Sequence, residues 1–344
     1  MSVPPDMLMS EVAERRDLDH ALLMRLADRV SALHAAAAVL PGGGAGAIRA
    51  TLPMQRAELA RYGEHLNERA AAGRFRRGHG ALRLDHIALT EAGPEPFGSQ
   101  DVGIDILFDL ANLLEDLWCR GLGQAANVVA NRYVDVLPQG ARGWALLPLF
   151  LSIRANDVDL LADSPPRLLA IGGLSGTGKS TLARALGGLM GRAPGARVLR
   201  SDVFRKRIMG LPPEARLPPS HYTAQSDAET WEALFESADD HLSCGTSVII
   251  DAVFMRRSER DVVEMLADRA RVPFTGLWLE APERDRIARV NARSGDASDA
   301  GAEVVREQSR RSVGELYGWH RMRVNRPPET VIAAARAVID RTRR

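Results

Sequence analysis

Eight consecutive residues, Gly173-Leu174-Ser175-Gly176-Thr177-Gly178-Lys179-Ser180, spell G-x-x-x-x-G-K-S. Glycines in such a run let backbone N–H groups turn inward around an anion without Cβ clashes. A helix starting near Lys179 aims its positive end at the same point. Lys179 is then placed to reach the outer phosphates of a nucleotide, and the Ser180 hydroxyl to meet Mg²⁺. The spacing predicts a site for ATP or GTP with Mg²⁺ over residues 173–181, Thr181 included. A chance glycine-rich turn is the alternative, and composition argues against it. Of 45 Lys and Arg residues only Lys179 and Lys206 are lysine, so lysine here is a specific choice.

Further chemistry-bearing residues follow the loop. In ARVLRSDVFRKR (196–207), Asp202 comes just after an apolar run. A carboxylate at the carboxyl end of a strand faces the ligand crevice of an open α/β sheet. Asp202 either accepts the proton of an attacking hydroxyl or caps the next helix, and the two roles are compatible. Arg205, one turn on, is a candidate for holding an anionic part of the acceptor. TSVIIDAVF ends a second run on Asp251, an acid placed to orient Mg²⁺ or its waters, or else to bond the glycine loop. Between 284 and 311 lie several arginines around the polar turn SGDASDAGAE. A mobile arginine-bearing segment there would close over phosphates, with Arg289 and Arg293 the foremost candidates. In so arginine-rich a chain, any one of them is also expected as ordinary surface charge. Lys206 reads as a solvated helix charge.

The elements that must position these groups form two blocks. Residues 18–38 show helical spacing with Asp17 as a cap, 41–47 is a glycine-rich loop, and a second helix is predicted over about 53–72. Residues 73–103 read as irregular. An amphipathic helix covers 104–121, with more over about 122–136 and 142–155. The motif DSPPR at 163–167 marks a boundary. Beyond it, short apolar runs alternate with helical stretches, which predicts an α/β unit with a parallel sheet covered by helices. The expected domains are thus 1–162, mainly helical, and 166–344. Length (344 residues), 45% hydrophobic content and a net charge of +1 suit two globular cores and give no argument for a nucleic-acid or membrane partner. Cys119 and Cys244 lack metal-ligand spacing and suggest buried packing in a reducing compartment. No apolar run approaches ~20 residues, the N-terminus lacks a signal-peptide core, and a cytoplasmic location is expected.

GGLSGTGKST, LRSDVFRKR, TSVIIDAVF and RSGDASDA together resemble the P-loop kinases of the zeta-toxin and polynucleotide-kinase-like group. Such domains are often fused behind an aminoglycoside-phosphotransferase-like domain. RLADRVSALHAAA, HGALRLDHI and IDILFDLANLLEDLWCRGL resemble the C-lobe of that partner. Where the family's catalytic loop reads H-G-D-L-H-x-x-N, this chain reads His79-Gly80-Ala81-Leu82-Arg83-Leu84-Asp85-His86. The resemblance therefore puts Ala81 at the catalytic aspartate position and His86 at the metal-binding asparagine. Asp85 has the wrong spacing to substitute. Where the second metal aspartate follows a Phe, the sequence runs Phe97-Gly98, and the nucleotide-clamping lobe is expected to be absent. The first domain is accordingly expected to be a catalytically dead remnant. The resemblance also implies a final strand near the adenine site, for which 322–325 is a weak candidate.

Three functions fit. The first is a Mg²⁺-dependent ATP kinase acting on a hydroxyl of a small molecule or nucleotide, with Asp202 as base. The second is a regulatory binding protein with slow hydrolysis and a docking domain. The third is a 5′-hydroxyl polynucleotide kinase, against which the neutral charge weighs.

Overall fold

The computed structural model describes residues 7–292 and 297–342 and divides into two compact units, Met1–Ser164 with Arg192–Gly195, and Pro165–Gly191 with Ala196–Arg344.

The first unit is mainly helical. Its elements are α1 (Met9–Glu14), α2 (His20–Ala36), α3 (Pro53–Arg61), α4 (Gly63–Ala71), β1 (Phe75–Gly78), β2 (Ile87–Thr90), β3 (Gly93–Pro96), β4 (Val102–Asp105), α5 (Ile106–Cys119), α6 (Gly123–Val136), α7 (Gly140–Ala145) and α8 (Leu147–Ala155). Leu22, Leu23, Leu26 and Val30 recur at helical spacing on α2 and are buried where α2 packs on α6. Full burial of each such side chain stabilises the unit by about 1.5–3 kcal/mol. Every residue of α5 from Ile106 to Leu117 is buried, which makes it the central helix. The cap of α2 is Asp19, whose Oδ1 accepts the Leu22 amide at 2.7 Å, and not Asp17. The predicted helix over 53–72 breaks at Tyr62 into α3 and α4. The stretch 73–103 is not irregular but carries four short strands in two antiparallel pairs, β1–β4 and β2–β3. Four-residue strands interrupted by Gly and Pro show no alternation, so only their pairing defines them. Neither cysteine is buried as expected: Cys119 is exposed and Cys244 half-buried.

The second unit is the α/β domain. Its elements are β5 (Leu168–Gly173), α9 (Lys179–Gly187), β6 (Arg197–Arg200), α10 (Ser201–Ile208), α11 (Ala224–Ser243), β7 (Val248–Asp251), α12 (Arg257–Ala270), β8 (Phe274–Glu280), α13 (Glu283–Asn291), α14 (Ala302–Arg310), β9 (Trp319–Arg323) and α15 (Pro328–Arg341). The strands run in the order β6-β7-β5-β8-β9 and every pair is parallel. Every residue of β5 and β7 is buried, as strands covered on both faces require. Two apolar clusters fill this unit. One gathers Leu169, Ile171, Leu182, Leu186 and Ile339, and the other Leu168, Phe204, Phe254, Val263 and Trp278. The final strand is β9, three residues earlier than the weak candidate at 322–325. Its signal is thin because only Trp319 and Met322 are buried. Among the described residues no helix is long and apolar enough to cross a membrane.

His241 on α11 is buried, and burial first, then the charge of Arg197, pushes it down to about 3. In the unfolded chain it takes up a proton near 6.5. Between those values the unfolded state binds more protons, so stability falls as pH drops below about 6.5, at roughly 1.4 kcal/mol per pH unit from this residue. Urea midpoints at pH 7.5 and 5.0 should show His241→Gln losing about 2 kcal/mol less than the parent over that interval. An equal loss in both proteins would refute the assignment.

Candidate functional site

The glycine loop leaves the carboxyl end of the central strand, β5, and enters α9. Gly173 has φ +138°, and a Cβ there would lie 2.7 Å from the Leu279 carbonyl; at Gly176, φ +82°, it would lie 2.5 Å from the Arg286 carbonyl. Both positions exclude a side chain by conformation and by space. The loop is pinned across its base, where the Thr177 amide and Oγ1 both donate to Leu174 O, at 3.2 and 2.8 Å. Lys179 Nζ donates to the same carbonyl at 3.3 Å, so the ammonium folds back over the loop. Gly178, φ +90°, caps α9, and a Cβ there would lie 4.0 Å from Arg289 Nη1.

A cavity of about 990 Å³ opens in front of this loop. Ser175, Gly176, Gly178, Lys179, Ser180 and Thr181 line it, while Gly173, Leu174 and Thr177 shape the loop instead. Asp202, Arg205, Asp251 and Arg289 line the same cavity. Arg293 lies outside the described residues.

Asp202 stands in the first turn of α10, a helix with no side-chain cap, so capping is not its role. Burial pushes its carboxyl above the usual range; Arg200 and Lys179 pull the other way, and Asp251 adds to the rise. Ser298 donates a hydrogen bond to it. Asp251, buried at the end of β7, is the register partner of Arg200 on β6. The Arg200 guanidinium bridges the two oxygen donors expected to meet Mg²⁺, with Nε 3.4 Å from Asp251 Oδ2 and Nη2 3.2 Å from Ser180 Oγ. A hydroxyl and a carboxylate are oxygen ligands of the kind a hard cation takes, so by chemistry the pair suits Mg²⁺, with Arg200 now lying between them. Among the described residues no three His, Cys, Asp or Glu side chains form a metal cage. Mg²⁺ carried by phosphates needs only one or two protein oxygens.

The far wall differs from expectation in two places. Arg205 reaches the cavity, but its guanidinium is engaged by Asp227 Oδ1 at 2.7 Å and Ser226 Oγ at 3.1 Å, and lies over the Tyr222 ring. It builds the wall more than it offers an open anion clamp. Lys206 is not solvated. It is 1% exposed, and its Nζ lies 3.2 Å from Asp299 Oδ1. Asp299 Oδ2 also accepts the Tyr222 hydroxyl at 2.7 Å and the Leu217 amide at 3.2 Å. Burial and then Asp299 push the Tyr222 phenol well up, which keeps it a donor. Asp299 thus ties the described residues just before α14 to α10 and to the wall around Tyr222. Arg289 arches over the loop, Nη1 3.4 Å from both the Gly176 and Thr177 carbonyls and Nη2 3.0 Å from Val324 O.

In the first unit, α5 holds the loop over 79–86. Asp109 accepts the His79 amide at 2.6 Å and the Gly80 amide at 2.9 Å, with His34 Nε2 3.2 Å away. Burial alone would raise the Asp109 carboxyl, but His34 and the two amides outweigh it and hold it below its usual range. Asp116 accepts the Leu84 amide at 2.8 Å and Arg83 Nη2 at 3.0 Å. The loop over 79–86 is therefore anchored to α5 by Asp109 and Asp116. Asp85 faces Arg120 at 3.5 Å.

Sheet, loop and cavity define an α/β domain with a parallel sheet flanked by helices and a glycine-rich loop at the carboxyl end of its central strand. Residues 168–313 match the family model described as an AAA domain. Uncharacterized proteins of Mycobacterium tuberculosis and Mycobacterium bovis are 30% identical over 175 residues, covering 49% of this chain and 34% of theirs. The chain thus spans about a third of the length of the curated relatives it matches. Among solved structures, a gluconokinase from Sinorhizobium meliloti aligns at 19% identity and TM-score 0.38, over 52% of this chain and 94% of that one. A sugar kinase from Janibacter aligns at 23% and 0.40, over 51% and 95%.

Proposed function

We propose that residues 166–344 transfer the terminal phosphoryl group of ATP, with Mg²⁺, to a hydroxyl of a small molecule or nucleotide, and that residues 1–162 are a phosphotransferase C-lobe remnant without chemistry of its own. The observation that carries this is the meeting of Lys179, Ser180, Asp202 and Asp251 on one cavity. Phosphoryl transfer asks mainly for positioning and charge. The loop amides and Lys179 hold the outer phosphates, and Asp202 takes the proton of the attacking hydroxyl. Ser180 and Asp251 would hold Mg²⁺, which when bound offsets phosphate charge. Arg289, tied to the loop carbonyls, is set to meet charge on the transferring group, and Arg293 remains a candidate for the same task. Kinship with the zeta-toxin and polynucleotide-kinase-like group belongs to this reading and rests on the motifs quoted above.

The test is a screen of cell metabolites with γ-labelled ATP, comparing the parent with Lys179→Ala. Label should pass to one compound with the parent and fall by about 10²–10³-fold with the variant. Label on no compound, or equal label with both proteins, would refute the proposal. Salt-sensitive labelling of single-stranded nucleic acid alone would turn it toward a 5′-hydroxyl kinase.

A further inference from the structure

Gln308 reaches from α14 to the glycine loop, where its Oε1 accepts the Ser175 amide at 2.8 Å. That amide is one of the inward-turned donors that a phosphate oxygen would use. In a nucleotide complex the amides where α9 begins would serve the inner phosphates. That would leave Ser175, on the opposite arm of the loop, for the outermost one. Gln308, Ser175, Lys179 and Asp202 line the same cavity, so the glutamine carbonyl stands at its reacting end. α14 is lightly held: Val305 is its one buried residue, and Arg286 Nη2 donates to Ser309 Oγ at 2.6 Å. A helix with so little buried surface shifts at small cost.

We infer that Gln308 competes with the terminal phosphate of ATP for the Ser175 amide. ADP lacks that phosphate and leaves the contact in place, whereas ATP displaces it and frees α14. The side chain thereby lowers the preference of the loop for triphosphate over diphosphate and couples α14 to the nucleotide held. This rests on the nucleotide-binding reading above.

Calorimetric titration of the full chain with Mg²⁺ and either a non-hydrolysable ATP analogue or ADP tests it. Gln308→Ala should tighten the analogue about three- to tenfold, the worth of one hydrogen bond no longer displaced, and leave ADP within twofold. Gln308→Glu places a carboxylate on the amide, and should weaken the analogue at least about tenfold more than ADP. Weaker analogue binding by Gln308→Ala would make the side chain a phosphate ligand and overturn the inference. Equal shifts for both nucleotides, or none, would overturn it as well, by reducing Gln308 to a structural contact. A parent protein that binds neither nucleotide would remove the nucleotide-binding reading itself, a result distinct from the others.

Discussion

Asp202→Asn should lower phosphorylation of the acceptor by about 10²- to 10⁴-fold, the range set by a general base, and leave nucleotide affinity unchanged. The carboxyl lines the cavity with Lys179 and accepts from Ser298, so asparagine keeps the shape and removes only the basic oxygen. The pH profile provides a second reading. Burial raises this carboxyl above the ordinary range, so the base is lost to protonation at a higher pH than a surface aspartate would be. Activity of the parent should therefore decline, as pH falls, before the usual carboxylate range near 4 is reached. The residual activity of the variant should lack that limb. Turnover within threefold of the parent, measured by label transfer to the compound found in the screen, would remove Asp202 from the chemistry.

Lys206→Met should cost about 3–5 kcal/mol of stability, because it leaves the carboxylate of Asp299 with its main counter-charge removed. The lysine is 1% exposed and its partner 12%, so water cannot readily replace the lost ammonium. Adding Asp299→Asn to the same protein should recover part of the loss, since the uncompensated charge disappears with it. Chemical denaturation of the parent, the two single variants and the double variant gives the coupling. A Lys206→Met protein as stable as the parent would mean that the pair is idle.

Those two residues also show where reading the sequence succeeds and where it stops. The glycine loop was legible because its chemistry is local: eight consecutive residues carry the glycines, the lysine and the hydroxyl. Asp202 and Asp251 were legible as strand-end acids, since sheet topology puts strand ends together. The short strands β1 to β4 were not, because pairing between segments defines them and no four-residue pattern announces it. Asp299 and Gln308 escaped because their partners, Lys206 and the Ser175 amide, are 93 and 133 residues away in the chain. For Lys206 a signal did exist. A chain that writes nearly every cation as arginine has lysine here, where a compact ammonium meets one carboxylate oxygen in a buried position.

That sparing use of lysine has a chemical consequence. Lys206 is sealed inside the domain, while Lys179 borders the open cavity. Amine-directed reagents therefore find a single reachable lysine side chain, and it stands at the point where a nucleotide would shield it.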